Sequence, residues 1–127
     1  MHGSKTDIPR VMDGKSFVSH STAWGDMVAT IDRWDAGFDG SPFFAALPEG
    51  MCPVPHWGYV SKGRVRIRYR DREEVIEAGQ AFYLEPGHIP FADEDSELVY
   101  FSPADEMAKT EALLKEQKKE TETRPQA

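Results

Sequence analysis

Hydrophobic and polar residues alternate along much of this chain, and the alternation predicts short β-strands. The clearest case is RVRIRYR, in which Val65, Ile67 and Tyr69 point to one side and four arginines point to the other. DREE then predicts a turn and EVIEAG a returning strand, so the two segments are expected to form a hairpin. Further strands are predicted in MVATIDRWDAG, FFAAL, QAFYLEPGHIPF and SELVYFSP. Short strands separated by frequent turns favour a sandwich or a barrel.

The pattern changes near the C-terminus, where SPADEMAKTEALLKEQKKE predicts an α-helix. Ser102 is the expected N-cap and Pro103 the first helical residue, with acids in the first turn and lysines towards the end. The apolar positions form a narrow stripe that is sufficient to dock on a sheet edge or a partner subunit. The closing segment TETRPQA is expected to be a frayed tail.

These patterns divide the chain into three parts. Residues 1–22 are polar and are interpreted as an N-terminal arm, either extended or forming a first edge strand. Residues 23–103 carry the predicted strands and are expected to form the barrel. Residues 104–127 are expected to form the C-terminal helix and the tail. The whole length of 127 residues suits a single domain with one core.

Charge and cysteine content restrict the expected partners and location. The chain has 22 acidic residues against 15 basic ones and a net charge of −7, and such a surface repels nucleic acid and anionic membranes. The alternating arginines are expected to be a solvated face paired with nearby acids, with anion binding as the lesser alternative. A single cysteine, no signal-peptide pattern and no apolar run near ~20 residues favour the cytoplasm.

The segment EGMCPVPHWGYVSKG places the single cysteine, Cys52, close to His56 and beside two prolines. If the segment is extended, Cys52 and His56 share a face, and Pro53 and Pro55 favour that extension. Thiolate and imidazole ligands suit zinc, iron, nickel or copper better than magnesium or calcium. The alternative is structural: a buried cysteine behaves as a small hydrophobe, and histidines in strands often only satisfy a carbonyl.

The stretch HWGYVSKGRVRIRYRDREEVIEAGQAFYLEPGHIPF resembles the core of the cupin family of small jelly-roll β-barrels. Gly63 stands where the first cupin motif ends, Gly79 opens the second motif, and the turn of that motif is similar to EPGH, Glu85 to His88. The resemblance covers roughly Met27 to Pro103. It implies an all-β jelly-roll barrel, or double-stranded β-helix, followed here by a C-terminal α-helix. It also implies a homodimer, since cupins frequently pair.

The chain departs from the cupin motifs at the metal ligands. The position of the usual glutamate holds His56, and the two positions of the His-x-His pair hold Gly50 and Cys52. The last histidine of the second motif falls at Pro90, two residues after His88. By position, the resemblance transfers metal ligands onto Cys52 and His56, and more loosely onto His88.

The resemblance therefore implies a site for a divalent transition metal at Cys52, His56 and His88, with zinc preferred and iron, nickel or copper as alternatives. Three protein ligands leave one position for water or substrate, as in catalytic zinc sites. We expect a metal-binding cupin that acts on or binds a small molecule, and whether it is an enzyme stays open. The alternatives are a metal-free cupin that binds or senses a small ligand, and a structural or interaction role.

Aromatic residues and pocket composition refine this expectation. Trp57 and Tyr59 alternate with His56 and are expected to point away from the barrel lumen. Tyr83 is expected in the core or along a pocket. A cavity lined mainly by apolar residues would favour an apolar or aromatic ligand, and a cavity with arginines would favour an acid. Four other aromatics are expected in the core or at an interface rather than as ligand-stacking residues: Trp24, Trp34, Phe43 and Phe44.

Overall fold

The computed structural model describes the backbone of residues 1–123 and the side chains of residues 1–116. Within that part, nine strands precede a long helix. The strands are β1 (Arg10–Asp13), β2 (Phe17–Trp24), β3 (Met27–Trp34), β4 (His56–Lys62), β5 (Arg64–Arg68), β6 (Glu73–Glu77), β7 (Ala81–Leu84), β8 (Ile89–Ala92) and β9 (Ser96–Pro103). The helices are α1 (Ser41–Phe44) and α2 (Ala104–Thr123), with a 3-10 turn at Pro48–Gly50.

The strands form two antiparallel sheets. The larger sheet has the order β1-β2-β3-β9-β4-β7, and the smaller one has the order β6-β5-β8. This arrangement confirms the predicted cupin jelly-roll with its C-terminal helix. The two sheets of the described chain are not closed by hydrogen bonds into a continuous barrel. The fold is therefore a two-sheet sandwich whose inner faces enclose the core and a cavity.

The predicted hairpin is confirmed by β5 and β6, which pair from Arg64 opposite Glu77 to Arg68 opposite Glu73. The apolar side of the alternation, Val65 and Ile67, lies in the core together with Tyr69 just beyond β5. Burial of such side chains stabilises the fold by roughly 1.5–3 kcal/mol each. The alternation of apolar residues and arginines therefore predicts the inner face of this sheet correctly.

The arginine side of the same hairpin is a charged outer face, as predicted. Arg66 contacts Glu73 at 3.1 Å and Asp93 at 2.7 Å, and Arg68 contacts Glu73 at 3.5 Å. These side chains are partly or largely solvated, so each pair contributes little to stability. Two of the four arginines, Arg66 and Arg68, are therefore paired with acids of this face or its neighbour.

The strand predicted at FFAAL is wrong. Residues from Ser41 to Phe44 form α1, and a turn follows. Pro42 lies in the first turn of α1, where its fixed φ is compatible with a helix. Phe43 packs edge-on against Phe17 at 4.7 Å between ring centroids. Tertiary packing of Phe43, rather than the local apolar pattern, therefore determines the helical structure of this short segment.

The predicted start of the C-terminal helix is also wrong, by one residue, since α2 begins at Ala104 rather than Pro103. Ser102 and Pro103 belong to β9, where they pair with Val28 and Met27 of β3. Ser102 is fully buried and its hydroxyl bonds to His56, so it is not available to cap α2. No helix in the described chain is both long and apolar enough to cross a membrane.

The predicted arm and the predicted tail both contain regular secondary structure. Residues 1–22 contain β1, an edge strand of the larger sheet, and most of β2, so the division at residue 22 falls within β2. The helix α2 continues through residues 121–123 of the predicted tail. Residues 124–127 of that tail lie outside the described residues.

The two motif glycines offer a matched test of backbone constraint. Gly63 and Gly79 have φ values of 85° and 92°, which disfavour any residue with a Cβ. A Cβ at Gly63 would overlap Ser96 and the carbonyl of Asp95, whereas a Cβ at Gly79 would meet nothing within 4 Å. We expect Gly63→Ala to lower the free energy of unfolding by about 3 kcal/mol and Gly79→Ala by about 1 kcal/mol. Urea denaturation measures both, and equal losses would contradict the close approach at Gly63.

Candidate metal centre and ligand cavity

The structure brings the three predicted ligands together inside the sandwich. One ligand atom of each, from Cys52, His56 and His88, lies within 4.8 Å of the others. The Cys52 Sγ to His56 Nε2 distance is 3.7 Å, and the two imidazole centroids are 5.0 Å apart. The three residues are only 5%, 8% and 2% exposed. His88, which the motif assigned only loosely, therefore lies beside Cys52 and His56.

Backbone pairing before β4 explains this convergence. The Cys52 amide donates to the His88 carbonyl at 2.9 Å, and the Gly87 amide donates to the Cys52 carbonyl at 2.8 Å. Gly87 has a φ of 89°, which suits glycine and allows the tight bend before His88. Pro53 and Pro55 separate Cys52 from the first residue of β4, which is His56. The proline segment and the Pro-Gly bend therefore hold the three side chains together.

Hydrogen bonds to the far side of each imidazole orient the two rings. His88 Nδ1 donates to the Glu85 carbonyl at 2.7 Å, so its proton lies on Nδ1 and Nε2 keeps a lone pair. His56 Nδ1 bonds to Ser102 Oγ at 2.5 Å, and its Nε2 faces Cys52. Metal-binding histidines in proteins typically use their second nitrogen in this way.

Burial keeps all three groups neutral in the folded protein. Desolvation, with a smaller contribution from the neighbouring His88, lowers the pKa of His56 to about 3. Desolvation also lowers the pKa of His88, against the hydrogen bond to Glu85. It raises the pKa of the Cys52 thiol to about 11. The imidazoles are thus in the form that binds metal, and the thiol requires a nearby cation to ionise.

The donor set fits a transition metal. Ligand atoms that share a tetrahedral zinc ion lie roughly 3.3–3.7 Å apart, by the usual Zn–S and Zn–N lengths. The sulfur and the His56 nitrogen, 3.7 Å apart, already meet this range, and the other ligand atoms, which lie within 4.8 Å of one another, would have to move about 1 Å closer to share one ion. One sulfur and two imidazole nitrogens are ligands that zinc favours and that magnesium and calcium do not.

A cavity of about 230 Å³ adjoins the three residues. Its walls come from the inner face of the larger sheet, from α1 and from α2, which contributes Met107 and Leu114. Among the described residues that line it there is no lysine or arginine. Six aromatic side chains contribute to the lining: Phe17, Trp34, Phe38, Phe43, Phe44 and Tyr100.

A polar strip on β3 lines the same cavity and was not identified from the sequence. Asp32 Oδ2 accepts from Trp34 Nε1 at 3.1 Å and from the Tyr100 hydroxyl at 2.8 Å. Asp32 Oδ1 and Thr30 Oγ1 are buried, and no side chain or backbone group in the described part of the chain hydrogen-bonds to them. Burial raises the pKa of the Asp32 carboxyl, and hydrogen bonds from its neighbours oppose the shift. Aspartate is rare in strand interiors, and its presence in β3 was the sequence signal that could have identified Asp32 as a candidate functional residue.

Trp57 and Tyr59 lie on the outer face of the larger sheet, as predicted, and are 46% and 44% exposed. Tyr83 was expected in the core or a pocket, but it lies beside Trp57 on this outer face, with ring centroids 5.1 Å apart. Phe101 of β9 is opposite Trp57 in the sheet and is also exposed. We call these four side chains the outer aromatic patch.

Comparison with known proteins gives one family match and many similar folds. The family of AraC-like ligand-binding domains matches residues 55–121 of this chain. A search among curated proteins found no match.

Solved structures with a similar fold include three from bacteria. The polyketide cyclase RemF from Streptomyces resistomycificus has a TM-score of 0.61 and 16% identity, covering 82% of this chain and 79% of that one. KdgF from Halomonas sp. has a TM-score of 0.57 and 21% identity, covering 80% and 94%. An RmlC-like cupin from Shewanella frigidimarina has a TM-score of 0.59 and 13% identity, covering 80% and 88%. At these identities the likeness shows the cupin fold alone.

Proposed function

The chain belongs to the family of AraC-like ligand-binding domains; we propose that it is a cupin that binds a transition metal and a small molecule side by side. The metal ligands are Cys52, His56 and His88, and the small molecule occupies the adjoining cavity. The observation that carries the proposal is the convergence of three buried ligand atoms within 4.8 Å at the cavity wall.

Zinc is the preferred metal because one thiolate and two imidazoles match its ligand chemistry, with iron, nickel or copper as alternatives. A zinc ion held by three protein ligands supplies a Lewis acid with an open position for water or substrate. The Glu85 carbonyl and Ser102 hold the imidazoles so that each Nε2 faces the cluster. Tyr100 packs against His56 at 4.8 Å between ring centroids and restricts the ring further.

The lining of the cavity favours a mainly apolar or aromatic ligand. Six aromatic side chains contribute to its walls, and no lysine or arginine is present among the described lining residues to balance an anionic group. Cavities of this composition bind small molecules by apolar burial, with a few polar groups that fix orientation. A carboxylate or phosphate ligand is disfavoured unless it binds the metal directly.

Metal content tests the proposal. Protein purified without an affinity tag and supplied with zinc should contain about one zinc per chain. Cys52→Ala/His56→Ala should contain less than about a tenth of that, because losing two ligands weakens binding by well over ~100-fold. His2→Ala, which removes an exposed histidine outside the cluster, is the control and should keep its zinc. Equal zinc in the wild type and the double variant, whether high or negligible, would contradict the site.

The alternative is a cupin that binds or senses a small ligand without metal. The observation that favours it is the cavity itself, which is about 230 Å³ in volume and is lined mainly by apolar side chains that can bind a ligand without metal. Ligand binding that persists unchanged after chelation would support this alternative. Turnover of a panel of metabolites by the zinc-loaded protein distinguishes an enzyme from a binding protein.

The homodimer implied by the cupin resemblance stays a prediction. The outer aromatic patch is the surface that such a dimer would cover, because exposed aromatic clusters often mark interfaces.

A further inference from the structure

Two buried polar atoms on residues that line the cavity have no hydrogen-bond partner among the described residues. They are Asp32 Oδ1 and Thr30 Oγ1, on side chains that are 5% and 2% exposed. Both residues belong to β3, two positions apart, so both side chains point to the same inner face. A buried polar atom without a partner costs roughly 1–3 kcal/mol, and native proteins rarely leave one unsatisfied. Two such atoms in one cavity indicate a bound group that completes them.

The hydrogen bonds of Asp32 leave its free oxygen available to a ligand. Trp34 and Tyr100 both donate to Oδ2, which fixes the plane of the carboxyl group. The Ser19 hydroxyl, opposite Asp32 on β2, also interacts with the carboxyl group, but Oδ1 has no hydrogen bond of good geometry from the described residues. Oδ1 is the remaining oxygen, and Asp32 lines the cavity. The carboxyl group is therefore held in place before any ligand binds, and a donor on the ligand is the group that Oδ1 lacks.

The charges around the carboxyl group favour a cationic donor. The described lining residues include the acids Asp32 and Glu111 and the buried histidines His56 and His88, but no lysine or arginine. A carboxyl group held away from water either keeps its proton or pairs with a cation, and a cationic ligand would supply that partner. Aromatic walls also favour an ammonium group, because the ring faces are electron-rich, and Trp34 and Tyr100 both adjoin Asp32.

We propose that Asp32 and Thr30 determine the specificity of the cavity, and that they bind the ammonium group of a small amine with an aromatic or apolar body. Asp32 Oδ1 accepts from the ammonium group, Thr30 Oγ1 provides a second acceptor, and the apolar body lies against Phe17, Trp34 and Phe38. This inference names a ligand class for the function proposed above and rests on it for the role of the cavity. It adds two residues that are not metal ligands.

The size of the cavity sets the scale of the ligand. An apolar cavity of about 150 Å³ accepts benzene, so a cavity of about 230 Å³ has room for one ring with a chain of two or three atoms. 2-Phenylethylamine has this size. Three compounds of similar shape vary only the polar end: 2-phenylethanol is a neutral donor, 3-phenylpropanoate is an anion and ethylbenzene has no polar group.

Isothermal titration of the full-length protein with these four probes tests the proposal, both with zinc and after its removal. The wild type should bind 2-phenylethylamine at least about tenfold more tightly than ethylbenzene or 3-phenylpropanoate, with 2-phenylethanol between them. In Asp32→Asn one amide oxygen still accepts from Trp34 and Tyr100, and the NH₂ group takes the place of Oδ1. This variant should lose the amine preference and bind 3-phenylpropanoate more tightly than the wild type does.

Two further variants separate ligand binding from folding. Asp26→Asn makes the same charge change at an exposed turn and should leave all four affinities unchanged. Thr30→Val keeps the shape of the side chain and should weaken the amine about threefold while leaving ethylbenzene unaffected. If Asp32→Asn does not fold, Thr30→Val alone decides: equal losses for the amine and ethylbenzene would overturn the proposal.

The results also separate this inference from the metal proposal. An amine preference that is abolished in Asp32→Asn supports the Asp32–Thr30 site, even if the metal-content experiment finds no zinc at Cys52. A wild type that binds the amine no better than ethylbenzene overturns the Asp32–Thr30 site, even if zinc is bound at the three ligands. Persistence of the amine preference in Asp32→Asn likewise overturns it.

Discussion

Zinc at about 1,000 times its dissociation constant is expected to raise the free energy of unfolding of the wild-type protein by about 4 kcal/mol. The reason is that folding creates the site: Cys52 and His56 precede the β5–β6 hairpin, His88 follows it, and their ligand atoms converge within 4.8 Å. The unfolded chain has no such arrangement and binds zinc much more weakly. Urea denaturation followed by circular dichroism, with and without zinc, measures the shift.

Two variants serve as controls for this experiment, one that removes ligands of the cluster and one that removes a histidine outside it. Cys52→Ala/His56→Ala should show no zinc-dependent stabilisation, whereas His2→Ala should show the full shift. A shift of the same size in the double variant would mean that zinc binds elsewhere on the chain. No shift in the wild type would contradict a folded-state site at these residues.

Ile67→Ala is expected to lower the free energy of unfolding by about 4 kcal/mol, because it removes buried methyl groups and leaves a cavity between the sheets. Ile67 is 1% exposed, and its side chain belongs to the hydrophobic core. Val75→Ala, on the adjacent strand β6, is the matched control, because Val75 is 44% exposed. It should cost less than about 0.5 kcal/mol.

Urea denaturation measures both variants under the same conditions. Similar losses in Ile67→Ala and Val75→Ala would mean that the two faces of the hairpin are not distinguished as inner and outer. That result would contradict the two-sheet arrangement on which the position of the cavity depends.

The general fold could be predicted because its signals are local. Val65, Ile67 and Tyr69 alternate with arginines, and a short turn follows, so both the hairpin and its inner face are encoded within a few residues. The motif glycines at positions 63 and 79 have positive φ values, which favour glycine over other residues. This local requirement makes the two positions recognisable in the sequence. The short segment FFAAL was wrongly predicted because an apolar run of this length does not distinguish a strand from a helical turn.

The candidate site was only partly predictable, because its remaining parts depend on contacts between distant segments. Cys52 and His56 lie close together in the chain and could be proposed from the motif. The bond from His56 to Ser102 joins positions 46 residues apart, and a helix-capping signal concealed it. The cavity role of Asp32 depends on Trp34 and Tyr100 occupying one of its oxygens and leaving the other free, which no local pattern indicates.

X-ray absorption at the zinc edge, on untagged protein loaded with one equivalent of zinc, tests the proposed metal centre most directly. We expect the wild-type spectrum to show one sulfur ligand and two imidazoles. In Cys52→Ser the sulfur contribution should disappear, and in His2→Ala the spectrum should be unchanged. A wild-type spectrum with only nitrogen and oxygen ligands, identical to that of Cys52→Ser, would contradict a metal site at Cys52, His56 and His88.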